Sequence, residues 1–305
     1  MVLSKWFWLE RGPVGMSDPI VVFGSSGMLG SQVVLELRRR KPDSAQVVAI
    51  DKDRFDVSKV DTAEIIRMLS SLGVREESYI VNCVGITKNR INSKRVGDNL
   101  AAINTNSIWP IRLADAAEAL NLRVIQPATD CVFSGSRGNY HESDPHDPND
   151  LYGKTKSIGE VDSEVVMHLR SSFIGRQSPN KPKMLFEWVK NLEPGSQVSG
   201  FKNHFWNGVT ANLLAKVFAG VIEQKIFYPG VTHLVPNSIV TKLTLIELLL
   251  DLLARTDVEV VPFEAEYEVN RSLSTGFLER NEVLFSLAGY TEIPTVEQVL
   301  QVSGI

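Results

Sequence analysis

The 305-residue chain contains only two cysteines, Cys83 and Cys131, which are too few for a disulfide framework. Both lie in apolar, strand-like runs, and cysteines in such runs are usually buried thiols. Free thiols persist in a reducing compartment. The scarcity of cysteine therefore predicts a cytoplasmic protein.

Several other features are missing, and each absence excludes a class of protein. The net charge is −4, so the chain has no excess of positive charge with which to bind nucleic acid or an anionic membrane. The five histidines lack the spacing of zinc ligands, and we expect no metal centre. There is no Gly-x-Ser-x-Gly sequence of the kind that carries the nucleophile of many hydrolases.

The N-terminal residues include an aromatic run at 6–9 that is much too short to span a bilayer. This run also lacks the apolar length and the cleavage site of a signal peptide. The strand pattern begins only at Pro19. We therefore expect residues 1–17 to form a poorly ordered N-terminal extension; an aromatic arm that binds a partner or touches a membrane is the alternative.

The first 170 residues alternate between short apolar runs and amphipathic stretches of helical period. Strands that alternate with helices at this spacing favour an α/β fold with a doubly wound parallel sheet of the Rossmann type. Beyond residue 170 the alternation loosens, which indicates a smaller C-terminal lobe. The predicted strands cover 20–23, 46–50, 79–84 and a run from 123, and the predicted helices cover 28–41, 62–72, 98–120, 185–192, 211–223 and 241–255.

Three glycines lie between the first predicted strand and the first predicted helix. In such a unit the first glycine permits a tight turn, the second lets the backbone approach a pyrophosphate, and the third lets the helix pack on the strand. The N-terminus of the helix then faces the phosphates. The sequence thus predicts a dinucleotide site. Its expected contacts are Gly24, Ser26, Gly27, Met28, Leu29 and Gly30.

Asp51 ends the second predicted strand, where a carboxylate can bond the adenosine ribose hydroxyls and favour NAD. Lys52 and Arg54 follow closely and could instead meet the 2′-phosphate of NADP. A solvated surface turn is a further interpretation. The expected cofactor is NADP or NAD, and these residues leave the choice open.

Small and polar residues follow the third and fourth predicted strands. Ligands of parallel sheets bind beyond the carboxyl ends of the strands. We therefore expect these residues to meet the glycine loop in one crevice, with the Thr129 hydroxyl offered to a substrate carbonyl. The residues are Cys83, Val84 and Gly85 after the third strand, and Thr129 and Asp130 after the fourth.

Tyr152 and Lys156 are four residues apart, so on a helix they share a face. A cation beside a phenol favours the phenolate and lowers the pKa of the phenol. The phenol then becomes a better proton donor, which is what a carbonyl reductase requires. The pair therefore predicts a general acid in the same crevice.

Together these segments resemble the extended short-chain dehydrogenase/reductase superfamily, and more narrowly nucleotide-sugar reductases of the dTDP-4-dehydrorhamnose reductase type. The resemblance covers about residues 18–235. Ala128 departs from the serine usual in the family, and the run Asn82 to Gly85 replaces Asn-Ala-Ala-Ala. The segments that carry the resemblance are 22–30, 129–135, 140–142, 152–160 and 169–172.

The resemblance implies a role for each residue of the catalytic set. Tyr152 would protonate the ketone oxygen, and Lys156 would lower the pKa of Tyr152 and hold the nicotinamide ribose. Thr129 would donate a hydrogen bond to the developing alkoxide. Asn104 matches the asparagine that organises a proton relay to the lysine, although a structural role inside a helix is the alternative.

Segment 202–210 corresponds to the nucleotide-sugar binding segment of the family, and it is therefore the predicted substrate-binding segment. Trp206 could stack on a base or a sugar, or pack inside the lobe. Arg170 and Arg176 could meet the diphosphate. The substrate contacts expected from the resemblance are Thr129, Asp130, Cys131, Arg170, Asn203 and Trp206.

The expected domains are an NAD(P)-binding Rossmann domain at 18–170, with 208–240 returning to it, and a substrate lobe from 171–207 and 241–305.

The expected function is NAD(P)H-dependent reduction of a keto-deoxysugar nucleotide in polysaccharide precursor synthesis. The alternatives are an epimerase or dehydratase, and a non-catalytic regulatory subunit. A dehydratase usually has Asp-Glu after the threonine, whereas this chain has Asp130-Cys131. Analogy with the fold suggests a homodimer.

Overall fold

The computed structural model of the chain describes residues 18–40, 47–177 and 184–302, so the predicted N-terminal extension lies outside the described residues. The strands are β1 (Ile20–Phe23), β2 (Val47–Ile50), β3 (Tyr79–Asn82), β4 (Arg123–Ala128), β5 (Val166–Arg170), β6 (Phe173–Ile174), β7 (Gln197–Phe201), β8 (His204–Trp206), β9 (Val209–Thr210), β10 (Gly230–His233), β11 (Val240–Thr241), β12 (Glu259–Phe263) and β13 (Val269–Asn270). The α-helices are α1 (Met28–Arg40), α2 (Thr62–Ser71), α3 (Val96–Ile103), α4 (Trp109–Ala119), α5 (Leu151–Ile158), α6 (Leu185–Lys190), α7 (Ala211–Gln224), α8 (Lys242–Leu252), α9 (Leu278–Leu287) and α10 (Val296–Val302).

Six strands form the main sheet in the order β10-β5-β4-β3-β1-β2, and every neighbouring pair is parallel. The predicted doubly wound parallel sheet is confirmed. β1, β3 and β5 are buried along their whole length. Both faces of such a sheet are covered by helices, which explains why these strands read as nearly continuous apolar runs.

Helices cover the sheet on both faces. On one face α1 packs against α7, and Val33 and Leu37 meet Phe218 in one buried cluster. On the other face α2 packs against α4, with Ile65 and Trp109 in a second buried cluster. No helix in the described ranges is both long enough and apolar enough to cross a membrane.

The chain leaves the main sheet after β5 and later returns to it. β10 pairs with β5, and α7 packs on α1. α9 also packs on α7, with Leu284 and Phe285 in the same cluster as Phe218. The predicted boundary, which placed all of 241–305 in the lobe, is therefore corrected: the apolar face of α9 is buried against the helices of the sheet.

The lobe has an apolar cluster of its own, which joins α6, α8 and α10. Phe186, Leu245, Leu249 and Val296 are buried in it. Two small sheets, β11-β8-β13 and β12-β7, complete the lobe.

The helix predicted over 98–120 is divided into three parts. A π-helical segment, Asn104–Ile108, joins α3 to α4. Pro110 lies in the first turn of α4, where its missing N–H costs little. Single π-helical turns often mark functional sites, and this one packs against α5, which carries Tyr152 and Lys156.

Candidate active site

The glycine loop forms a tight turn against the end of β3. Gly24 has a φ of +74°, and a Cβ on it would lie 2.9 Å from the Cys83 carbonyl. A Cβ on Gly30 would lie 2.1 Å from the Gly24 oxygen. Both positions therefore require glycine, and the close packing leaves the N-terminus of α1 facing the crevice.

A cleft with a volume of about 770 Å³ opens at the carboxyl ends of β1, β3, β4 and β5. It brings together most of the residues that the sequence singled out. Cys83 borders it as a thiol whose pKa is raised by burial. The predicted residues that line the cleft are Gly27, Met28, Leu29, Cys83, Val84, Gly85, Thr129, Asp130, Cys131, Tyr152 and Lys156.

The turn after β2 lies apart from these lining residues. The Asp51 carboxylate accepts the backbone N–H of Arg54 at 3.0 Å. The Arg54 guanidinium in turn donates to the Ala49 carbonyl at 3.3 Å. Lys52 and Ser26 are exposed. These contacts hold the turn closed beside the glycine loop, whose Gly24 N–H donates to the Ile50 carbonyl at 2.8 Å.

Thr129 and Tyr152 both line the cleft, and the Thr129 hydroxyl is near enough to act on the pKa of the Tyr152 phenol. Burial raises the pKa of Tyr152, and the charge of Asp130 raises it further, while a hydrogen bond with Thr129 opposes the increase. The Thr129 hydroxyl also donates to the Asp130 carboxylate at 3.2 Å. The predicted pKa-lowering effect of Lys156 on Tyr152 does not dominate here: burial keeps the phenol protonated.

Lys156 is 8% exposed, and its ammonium donates to the Pro127 carbonyl at 3.4 Å. Burial lowers the pKa of Lys156, and the negative charge of Glu160 partly restores it. The ammonium therefore lies at the end of β4, next to Thr129. This position allows it to reach a ribose bound in the cleft.

Two glycines fix α5 between its neighbours. A Cβ on Gly153 would lie 2.2 Å from the Cys131 carbonyl oxygen, and one on Gly159 would lie 2.0 Å from the Asn106 carbonyl oxygen. The Asp150 carboxylate caps the helix by accepting the Gly153 N–H at 2.8 Å. These contacts set the depth at which Tyr152 enters the cleft.

Asn106, which the sequence analysis did not single out, joins the cleft to α5. Asn104 lies two residues earlier in the same π-helical segment, and its role in a proton relay stays a prediction. The Asn106 amide accepts the Ile86 N–H at 2.8 Å and donates to the Ile86 carbonyl at 2.9 Å. It also donates to the Thr155 hydroxyl at 3.2 Å. The helical spacing of the sequence could have shown that Asn106 is buried, because it shares a helix face with the apolar and buried Ala102 and Trp109.

Residues 18–273 match the family model described as the RmlD substrate binding domain. The chain belongs to this family.

Two RmlD-family relatives illustrate the similarity. The chain is 33% identical over 141 residues to a dTDP-4-dehydrorhamnose reductase of Streptomyces griseus, covering 46% of this chain and 43% of that protein. It is 32% identical over 146 residues to a dTDP-4-keto-6-deoxy-D-glucose reductase of Streptomyces niveus, covering 48% and 47%. The chain thus matches about half the length of these relatives.

The fold is shared more widely than the sequence. The crystal structure of a dTDP-4-dehydrorhamnose reductase from Bacillus anthracis, described as a complex with NADP, superposes with a TM-score of 0.76 at 19% identity. The superposition covers 94% of this chain and 99% of that one. It shows that this RmlD-family chain has the same fold over nearly its whole length.

Arg170 does not fill the diphosphate-binding role that the sequence suggested for it. It is 1% exposed and forms an ion pair with Glu160. Its guanidinium also bonds the imidazoles of His146 and His233, each at 2.8 Å. The substrate prediction for Arg170 is corrected, because its hydrogen-bonding groups are used inside the protein behind α5.

Trp206 and Asn203 are part of the framework of the lobe. Trp206 is 3% exposed, packs in the apolar cluster of the lobe and donates from its indole to the Ser172 hydroxyl at 2.8 Å. The Asn203 amide donates to the Ala265 carbonyl at 2.7 Å and accepts its N–H at 3.0 Å. The packing interpretation of Trp206 therefore replaces stacking on a ligand, and Asn203 fastens a loop. Arg176 is exposed.

Two cations that the sequence did not single out lie beside the cleft. The Lys242 ammonium is 5.5 Å from the centre of the Trp206 ring, and burial lowers its pKa against the charge of Asp130. The Arg271 guanidinium donates to the Phe133 carbonyl at 2.8 Å, and its charge acts on both Cys131 and Lys242. They meet because β11 and β13, which precede them, flank β8. No local motif gave a signal for either residue.

Among the described residues, no group of three or more histidine, cysteine, aspartate or glutamate side chains is arranged to hold a metal ion. The cleft instead offers backbone amides, hydroxyls, one phenol and cations. These groups suit a phosphate-bearing organic ligand and a carbonyl.

Proposed function

We propose that this protein is an NAD(P)H-dependent reductase of a keto-deoxysugar carried on a nucleotide, in the synthesis of polysaccharide precursors. The observation that carries the proposal is that Thr129, Tyr152 and Lys156 line one cleft together with the glycine loop. The kinship with named dTDP-sugar reductases supports the same reaction class.

The cofactor proposed for the cleft is NADP or NAD, which supplies the hydride. The residues present fit such a group, because Gly24 and Gly30 keep side chains away from the place where a pyrophosphate would meet the N-terminus of α1. Val84 and Gly85 extend this wall of the cleft. Lys156 would hold the nicotinamide ribose.

The protein residues then complete the reduction. As hydride reaches the ketone carbon, the phenol of Tyr152 gives its proton to the oxygen, and the C=O bond becomes a CH–OH group. Thr129 donates a hydrogen bond to the oxygen as negative charge develops there. The raised pKa of Tyr152 keeps the proton available before reaction.

Lys242 and Arg271 are proposed to receive the diphosphate of the nucleotide sugar. Both cations act on the acidic side of the cleft near Asp130 and Cys131. Burial opposes the charge of Lys242 more strongly than Asp130 supports it, so a bound phosphate would stabilise the ammonium. This assignment takes the place of Arg170 in the proposed site.

The dehydratase alternative is disfavoured by Cys131. A dehydratase needs an acid–base pair beside the threonine, but burial and the charge of Asp130 raise the pKa of Cys131 to about 12. The thiol therefore keeps its proton near neutral pH and cannot act as the base. A purely regulatory subunit would have no use for a cleft that Thr129, Tyr152 and Lys156 line together.

Cofactor stoichiometry tests the proposal. The purified protein is incubated with NADPH or NADH and a panel of dTDP- and UDP-linked 4-keto-6-deoxysugars, and cofactor absorbance and product structure are followed. We expect one cofactor oxidised for each alcohol formed. Product formation without net oxidation would identify an epimerase or dehydratase, and no turnover with any sugar would leave the regulatory subunit as the better explanation.

We further propose that the protein is a cytoplasmic homodimer. Val96 and Leu100 on α3 and Ile158 on α5 are exposed, and α3 packs against α5, so they belong to one apolar face. The two described thiols fit a reducing compartment. Light scattering should give twice the chain mass, and Leu100→Glu should give the monomer; a monomeric wild type at micromolar concentration would contradict the proposal.

A further inference from the structure

Glu160 lies one helical turn beyond Lys156. Gly159, at the end of α5, keeps helical backbone angles of −82° and −1°, and the Glu160 N–H donates to the Ser157 carbonyl at 3.3 Å. Residues four apart on a continuing turn share a face. Because the Glu160 side chain is only 3% exposed, the carboxylate is buried on the same face as Lys156.

Lys156 needs a negative partner inside the protein. Its hydrogen bond to the Pro127 carbonyl satisfies one donor but supplies no countercharge. Burial opposes the charged ammonium, and the negative charge of Glu160 is what opposes that effect. An ammonium buried without a countercharge would tend to lose its proton.

The Glu160 carboxylate is itself held firmly. Arg170 forms an ion pair with it and donates a second hydrogen bond at 3.3 Å, and the His146 imidazole lies 3.4 Å away. His168 also faces this carboxylate. These contacts keep the carboxylate from turning away from α5.

The surrounding histidines leave this charge in place near neutral pH. Burial lowers the pKa of His146 and of His168, and it lowers that of His233, which faces Arg170, to about 4. The Glu142 carboxylate, on the other side of His233, accepts the backbone N–H of His233 at 3.0 Å. With these histidines neutral, Glu160 has to balance both Arg170 and Lys156.

We propose that Glu160 is a positioning residue that keeps the Lys156 ammonium charged before any ligand binds, while the Pro127 carbonyl holds the ammonium at the end of β4. The meaning of this arrangement for catalysis rests on the proposed reductase function. The arrangement itself belongs to the ligand-free protein, so it can be tested without a sugar substrate.

The test follows the titration of Lys156 by NMR in protein labelled with ¹³C at the lysine ε-carbon, with Lys156→Gln used to assign its signal. In Glu160→Gln the midpoint of the Lys156 titration should move to lower pH. NADPH affinity, measured by fluorescence, should fall about ten-fold at alkaline pH and remain near the wild-type value at neutral pH. An unchanged titration of Lys156 in Glu160→Gln would overturn the proposal.

Two further variants separate charge from packing. Ser157→Ala removes the 2.8 Å bond to His146 from the same helix but leaves the carboxylate, so the Lys156 midpoint should not move. Glu160→Asp keeps the charge and withdraws it by one methylene, so a smaller shift in the same direction is expected; this variant also decides the matter if Glu160→Gln does not fold. A shifted midpoint in a protein that reduces no sugar would preserve this inference and reject the proposed function.

Discussion

The Gly153 α-carbon lies so close to the Cys131 carbonyl that a Cβ would approach its oxygen to 2.2 Å. Gly153 follows the proposed acid Tyr152, and Cys131 belongs to the turn that begins at Thr129. The two halves of the proposed catalytic pair are thus held together by direct backbone contact. Any side chain at position 153 must separate them.

Gly153→Ala should therefore harm activity more than its size suggests. We expect turnover to fall by at least about ten-fold and the free energy of unfolding to fall by about 1–3 kcal/mol, because backbone cannot give way as a flexible side chain can. Urea unfolding and steady-state kinetics measure the two effects. Gly97→Ala is the matched control. Open space surrounds Gly97 in α3, so the urea concentration at which that variant unfolds should be at least as high as for the wild type.

Tyr152→Phe removes the proposed proton donor and keeps the ring. Turnover should fall by about 100- to 10,000-fold, whereas NADPH affinity should change little. Stopped-flow oxidation of NADPH and fluorescence titration check the two halves of this expectation. Tyr228→Phe, whose ring packs under Arg280 outside the cleft lining, should retain full turnover. A Tyr152→Phe variant with normal turnover would remove the phenol from the mechanism.

His233 should make the fold sensitive to acid. Burial, and then the charge of Arg170, lower its pKa from 6.5 to about 4 in the folded protein. Between these values the unfolded chain binds more protons, so the free energy of unfolding should fall as the pH drops through this window. Urea unfolding at several pH values should show a gentler dependence for His233→Gln. If the free energy of unfolding depends on pH as steeply in His233→Gln as in the wild type, the prediction is wrong. His141→Gln, at an exposed site, serves as the control.

Asp51 is expected to set the choice between the two cofactors. Its carboxylate would bond the ribose hydroxyls of NADH and repel the 2′-phosphate of NADPH. Asp51→Asn should therefore raise the ratio of kcat/KM for NADPH over NADH by about ten-fold, which corresponds to about 1.4 kcal/mol. Asp53→Asn, an exposed neighbour in the same turn, should leave the ratio unchanged. A ratio that stays constant in Asp51→Asn would place the cofactor ribose elsewhere.

Lys242→Gln tests the proposed diphosphate contact. Loss of a charge-assisted hydrogen bond should raise KM for the nucleotide sugar about ten-fold with kcat nearly unchanged. Cofactor affinity should stay the same, which distinguishes the effect from general damage to the cleft. Lys216→Gln, on α7, is a matched loss of one positive charge and should have no effect on KM. Equal KM values for Lys242→Gln and the wild type would refute the assignment.

Local patterns in the sequence were sufficient to predict much of the fold. The apolar strand runs predicted the sheet, and helical period predicted a helix from residue 241. That helix begins where the Thr241 hydroxyl accepts the Thr244 N–H at 3.1 Å. These features depend on neighbours a few residues away. The same holds for the glycine loop, whose spacing is visible within seven residues.

Long-range contacts explain what the sequence analysis got wrong. Arg170 had the chemistry of a phosphate ligand, but Glu160 and His233, which is 63 residues away in the chain, use its hydrogen-bonding groups. Lys242 comes close to Asp130, which lies 112 positions earlier in the chain, because β11 pairs with β8. Such partnerships depend on the packed fold, which local patterns do not encode.

The return of the chain to its first sheet also bears on how the protein is made. During synthesis α1 and the glycine loop leave the ribosome early. Phe218 on α7, which packs on α1, follows about 190 residues later, and Phe285 on α9, which packs on α7, follows about 250 residues later. The nascent nucleotide-binding half must therefore keep an apolar surface uncovered while the lobe is translated. A stall or truncation before α9 would release a chain with its proposed catalytic residues complete and with the face of α7 that packs on α9 open to chaperones and proteases.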